Sequence, residues 1–212
     1  MDIESFVGAL ERDIARRKHE LSLVRTTLEE GVASKELLGW VSRAAVTLSY
    51  AHWEGFVKNS SIRYIKLINA QLLRVDQLKP PLQAASLKGH FKRAGSSVKP
   101  CYLGSVLMEM DSRRCEIFNV NPEKVIDTES NLSSTVFEGL VTGIGLEYLD
   151  VYTMRHPFID EQLVSARNAV VHGEMMDFSS AEAIIRIEGV LYMIAVFFEH
   201  LVDGARGSYY LN

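Results

Sequence analysis

Arg167, Asn168 and His172 stand together in the stretch Arg167-Asn168-Ala169-Val170-Val171-His172-Gly173-Glu174. Their types suit phosphodiester chemistry without a metal. A guanidinium grips a phosphate through a fork of donors, an imidazole moves protons near neutral pH, and an amide orients either one or bonds a sugar hydroxyl. Spacing alone is weak support: with 6 His and 14 Arg in 212 residues, roughly one Arg/His match arises by chance. Arg12 with His19 is such a decoy. Context separates the later match. Asn168 directly follows the Arg, Gly173 directly follows the His, and Phe158, Ile159, Leu163, Ala166 and Val170 recur upstream at helical spacing.

At about 100° per residue, Asn168 and His172 lie about 40° apart on one helix face, while Arg167 is about 140° from His172. The Arg side chain must therefore wrap back or act in the site of a partner chain. His172 falls where the helix should end, with Gly173 as the residue after the cap, and a helix C-terminus attracts a cation. The plainer readings are a capping His172, a surface Arg167 paired with Glu161 or Glu174, and Asn168 as a polar residue on a half-exposed face.

A second group lies at Tyr50-Ala51-His52-Trp53-Glu54-Gly55-Phe56-Val57-Lys58. A tryptophan flanked by His52 and Glu54 in mid-helix, followed by a helix-weakening glycine, predicts tight packing against another helix or a ligand. The alternative is that Trp53 and Phe56 are core while His52 and Glu54 are solvated. Lys88, His90, Lys92, Arg93 and Lys99 make a modest basic segment, either an RNA-backbone contact or a solvated surface.

No P-loop, GxSxG or GxGxxG arrangement is present. His172-Gly173-Glu174 matches the H-x-E of zinc deaminases, but the Pro-Cys-x-x-Cys that should follow is missing. The six His residues form no H-x3-H pair, so neither a metal nor a cofactor is expected.

The elements that must position these residues read as helices. Ile3, Phe6, Val7, Leu10, Ile14, Leu21, Val24 and Leu28 predict a first helix over 3–29, stopped by Gly31. Ser34 caps a longer one over 35–73, antiparallel to the first because the connection is short. Shorter helices are expected around 82–93 and 103–110, and another capped by Asn131 or Ser133 and running through Val141. The motif helix covers 157–172, with Pro157 in its first turn. The last helix covers 180–202, capped by Ser179 or Ser180. No alternating strand pattern appears. The prediction is all-α, a helical bundle formed by one domain over 1–212 with a partly helical insertion at about 80–131.

A hydrophobic content of 47% excludes disorder, and the net charge of −4 with a pI near 5.9 excludes a broadly basic surface, so any RNA contact must be a local groove. Cys101 and Cys115 are the only cysteines and are expected to be reduced. No run of about 18 apolar residues exists. A soluble, cytoplasmic protein with no membrane contact is expected.

The two motifs together resemble the HEPN superfamily, in particular its bacterial branch with an early Ala-His-Trp-Glu-Gly helix and a late Arg-Asn-x3-His-Gly-Glu helix. RiboL-PSP-like HEPN proteins are among the candidates within that branch. The resemblance covers most of the chain outside Pro80 to Asn131. It implies an α-helical bundle, homodimerisation, and two composite sites near a twofold axis. It also implies RNA as substrate, cleaved without metal in toxin–antitoxin or phage-defence settings, with an antitoxin or another defence-system protein as a further partner. On this likeness Arg167, Asn168 and His172 are the catalytic positions. Glu54, supported by His52, takes the place of the polar residue that faces the motif from a neighbouring helix. Two other classes stay open: a non-catalytic HEPN module that binds RNA, a nucleotide or a partner protein, and a purely structural helical dimer.

Overall fold

The computed structural model describes residues 1–31, 34–174 and 176–212. The described residues form α1 (Ile3–Glu30), α2 (Lys35–Ala70), α3 (Pro80–Ala94), α4 (Pro100–Arg114), α5 (Pro122–Val125), α6 (Ser134–Gly143), α7 (Asp150–Thr153), α8 (Ala166–Val171) and α9 (Ser180–Arg206). A 3-10 turn covers Val75–Gln77, and a π-helical segment, Phe158–Ser165, leads directly into α8. Among the described residues there is no β-strand, only two isolated bridges, Arg74 with Ile117 and Leu78 with Leu211. The fold is all-α, as the periodicity predicts.

The ends follow local chemistry. Asp2, Ser34 and Ser133 each accept a hydrogen bond from a backbone N–H three residues on, satisfying a donor the helix itself leaves free. Ser179 and Glu182 form a reciprocal capping box at the start of α9. Prolines open α3, α4 and α5, where a missing N–H costs nothing. α2 closes three residues earlier than its apolar pattern suggests, because Leu72 turns the chain with a left-handed φ of 54°.

α1, α2 and α9 pack on one another and enclose the main core, to which α6 and the π-helical segment add their apolar faces. α1 and α2 run antiparallel: Arg17 lies against Gly55 and Phe56, while Glu20, one turn later on α1, reaches His52, one turn earlier on α2. α3 and α4 form a helical pair over the middle region, where Glu109 engages both Arg93 and His90, so part of the basic segment is already paired.

The seam between α1 and α2 explains Gly55. Arg17 is 4% exposed; it bonds Asp13 at 3.1 Å and donates to the His52 carbonyl at 2.8 Å. A Cβ at Gly55 would stand 3.2 Å from its Nη1. The glycine thus makes room for a buried guanidinium, the helix-packing alternative of the two the sequence offers. Burial, reinforced by Arg17, pushes the His52 imidazole below its ordinary value against the opposing pull of Glu20. His200, also buried, moves the same way.

Two outcomes follow. The unfolded chain takes up the His52 and His200 protons at higher pH than the folded protein. Their contribution is therefore complete above the ordinary imidazole value of about 6.5 and is lost as pH falls through it. Urea midpoints should drop between pH 7.5 and pH 5.5, and His52→Gln should flatten that slope; an unchanged slope would show that His52 is not linked. Separately, α9 passes the π-helical segment at Gly189, where a Cβ would overlap the Phe158 ring, itself 6% exposed. Gly189→Ala should lower stability by about 1–2 kcal/mol, overpacking outweighing the gain in helix propensity. That is a fall of roughly 2–8 °C in thermal midpoint. An unchanged or raised midpoint would contradict this packing.

Candidate functional site

α8 is short, and its end is fixed by backbone geometry. The Gly173 N–H donates to the Val170 carbonyl at 3.1 Å and the Glu174 N–H to the Ala169 carbonyl at 2.9 Å. Gly173 takes φ 77°. This is a Schellman closure with glycine in the left-handed position that the sequence assigns to it. The helix entering α8 is not the uniform α-helix that a rotation of 100° per residue assumes. In Phe158–Ser165 hydrogen bonds span five residues, so Phe158 and Leu163, five apart, are both buried. Asp160 in this segment turns to α6, where its carboxylate accepts from the Ser134 N–H at 2.7 Å and from the Ser134 hydroxyl.

That tether sets the loop ahead of α6 against the motif. Arg167 is half-buried, and its Nη1 donates to Asn131 Oδ1 at 3.0 Å and to Asn168 Oδ1 at 2.7 Å. Its guanidinium carbon lies 5.0 Å from the centre of the Tyr50 ring, a cation–π contact with α2. The Tyr50 hydroxyl in turn accepts the Leu132 N–H at 2.8 Å. Burial raises the Tyr50 pKa, the Leu132 N–H opposes the rise, and the Glu54 carboxylate adds to it. Glu54 thus sits near the Tyr50 hydroxyl, half-buried, and among the described residues it forms no ion pair with Arg167.

Among the described residues, no carboxylate pairs with Arg167, neither Glu161 nor Glu174, and its Nε and Nη2 have no hydrogen-bond partner. The guanidinium is held on one edge by neutral acceptors and on one face by a ring, which leaves donors and charge for an anion.

His172 is elsewhere. It caps α8, is exposed, and its ring has no hydrogen-bond partner among the described residues. The Asn168 side chain turns to Arg167 and not to the imidazole; only its backbone carbonyl meets the His172 N–H, at 2.9 Å. Among the described residues no hydrogen bond joins the Arg167 side chain to His172. His52 is separated from both: it faces α1, its ring 3.3 Å from Glu20 and 3.5 Å from Arg17. Trp53 and Phe56 are core.

Two residues beside Arg167 escape a sequence reading. Tyr50 belongs to the early motif but carries no spacing that ties it to Arg167. Asn131 and Ser133 are the two cap candidates of the sequence; Ser133 is the cap, and Asn131 instead accepts from the guanidinium.

The RiboL-PSP-HEPN family model matches residues 12–203, a span that runs through the middle region as well as both motifs. It bears out the HEPN resemblance. Neither a curated protein nor a solved structure matches the chain.

Tyr50→Phe keeps the ring under Arg167 but leaves the Leu132 N–H without an acceptor. A loss of about 1–3 kcal/mol in unfolding free energy is expected, with faster hydrogen exchange at the Leu132 amide. Unaltered exchange there would mean that the hydroxyl does not hold the loop.

Proposed function

The chain belongs to the RiboL-PSP-HEPN family, and from that premise we propose that it is a metal-independent endoribonuclease. The observation that carries the proposal is the Arg167 guanidinium, oriented by Asn131, Asn168 and Tyr50 and, among the described residues, without a carboxylate partner and with no hydrogen-bond partner at Nε and Nη2. The substrate 2′-oxygen attacks the adjacent phosphorus and the bond to the 5′-oxygen breaks. The products are a 2′,3′-cyclic phosphate and a 5′-hydroxyl. One imidazole removes the 2′ proton while an acid returns a proton to the leaving oxygen. Arg167 neutralises charge building on the phosphate, Asn168 and Asn131 orient it, and His172 moves protons. Glu54 is a supporting polar group beside Tyr50. His52 supports the site through the α1–α2 seam.

Arg167 and His172 share no hydrogen bond among the described residues and lie about 140° apart on an ideal helix, which supports a composite working site built by two copies around a twofold axis. Exposed Val171 next to His172, with Trp40 and Leu48 along α2, is apolar surface that such a contact would cover. We read the whole chain as one domain with residues 80–131 as an elaboration, and its setting as toxin–antitoxin or phage defence.

A second reading, a HEPN module that binds RNA, a nucleotide or a protein without cutting, is favoured by one observation. The His172 ring is exposed and, among the described residues, has no hydrogen-bond partner to orient it.

Arg167→Ala and His172→Ala separate the two. On cellular RNA in excess EDTA, wild-type protein should cut and leave cyclic phosphate ends, and each variant should lose activity by 100-fold or more, on the order expected for general acid–base or electrostatic groups. A 2′-deoxy substitution at the cleaved position should block the reaction. Full activity of His172→Ala, or strict need for added divalent metal, would overturn the mechanism. Wild-type protein that binds RNA but leaves it intact would establish the binding module.

A further inference from the structure

A cavity of about 610 Å³ opens between the Lys79 linker, the turn ahead of α7 and the last turns of α9. Its floor holds His200, 7% exposed. The His200 Nδ1 is engaged with the Tyr152 hydroxyl at 3.0 Å. His200 lines the cavity, and its Nε2 has no hydrogen-bond partner among the described residues.

Around this imidazole stand three carboxylates, Glu147, Glu199 and Asp203. All three are exposed, and none joins an ion pair among the described residues. The one cation of the lining, Lys79, donates to the Gly145 carbonyl at 3.0 Å. Negative charge in the cavity is therefore in excess. Between the charges the walls are apolar: Leu149, Val196 and the Tyr209 ring. The C-terminal tail fixes the Tyr209 side, since the Tyr210 carbonyl accepts the Lys79 N–H at 2.9 Å and the Asn212 N–H donates to the Gln77 carbonyl at 3.1 Å.

We propose that this cavity binds a small organic polyamine, a molecule with two or more ammonium groups joined by methylenes. Ammonium groups would pair with the rim carboxylates. The methylenes would lie on Leu149 and Val196, and one ammonium over the Tyr209 ring. Nε2 of His200 accepts one N–H once its Nδ1–H is donated to the Tyr152 oxygen, a tautomer that the hydroxyl, donor and acceptor alike, permits. Burial holds the His200 pKa below its ordinary value, so the ring is the neutral acceptor this requires. A bare metal ion fits less well, because no group of three potential ligands is gathered closely enough to coordinate one among the described residues. The volume lies in the range of small-molecule sites, with few polar groups among apolar walls.

Calorimetric titration of the full chain with spermidine at low ionic strength tests this. Saturable binding at one site per chain is expected. Asp203→Asn and Glu199→Gln should each weaken it about tenfold, the loss of one charge-assisted hydrogen bond, while Glu36→Gln on α2 should leave it unchanged. The His200 side-chain nitrogen resonances should shift on saturation. Because Asp203 and Glu199 are exposed, their variants test the site even if a His200 variant fails to fold. Three results would each overturn the proposal: no saturable heat, equal binding by the carboxylate variants, or displacement by magnesium at matched ionic strength. Displacement by a lysine-rich peptide at lower concentration than spermidine would overturn it in favour of a protein segment as occupant.

Discussion

Phe137 on α6 lies edge-on to Trp53 of α2 at 4.9 Å between ring centres, to Tyr152 of α7 at 5.0 Å and to Phe197 of α9 at 5.4 Å. Edge-to-face contacts of this kind add stabilisation beyond the apolar area they bury, and here one ring joins four helices. α6 cannot slide or rotate without opening all three contacts. Its N-terminus is then closed by Ser133 and Asp160, so the preceding loop arrives at Tyr50 and Arg167 in a single register. The position of Asn131, and through it of the guanidinium, depends on that aromatic junction more than on the motif helix itself.

The charge logic of buried Arg17 and half-buried Arg167 differs. Arg17 is anchored by the Asp13 carboxylate, a carbonyl and the Phe56 ring, which compensates its burial and leaves it structural. Arg167 has the same aromatic support but, among the described residues, only amide oxygens for hydrogen-bond partners. A carboxylate in their place would compete with an incoming phosphate; amides orient the fork and leave its charge uncancelled. One sequence thus uses the same residue type in two ways, and the difference lies wholly in the neighbours.

The π-helical entry to α8 has a consequence for the motif. Widening the helix over Phe158–Ser165 keeps Phe158, Ile159 and Leu163 buried while Asp160 caps α6. Within α8 the ladder returns to α-helical geometry, and the Schellman closure ends it at the histidine. His172 is carried on a rigid backbone yet projects into open space. An imidazole so placed gains defined surroundings only from something that docks against it.

Local residue order settled much of this protein. Periodic apolar positions placed the long helices; Ser34 marked the start of α2, Asn131 or Ser133 and Ser179 or Ser180 narrowed two further starts to a pair of residues each, and Gly31 and Gly173 marked ends. These features depend on backbone chemistry a few residues apart, which is why they are legible along the chain. The π-helical register, the early stop at Ala70, the separation of His52 from the Arg167 site and the pairing of Arg167 with Asn131 and Tyr50 are of another kind. Tyr50 and Asn131 lie 81 residues apart on the chain, and nothing in either segment encodes the other. Only the packing of α6 and the motif helix on α2 brings their polar atoms within reach. A buried N–H or a half-buried guanidinium is then satisfied by whichever acceptor the tertiary structure presents.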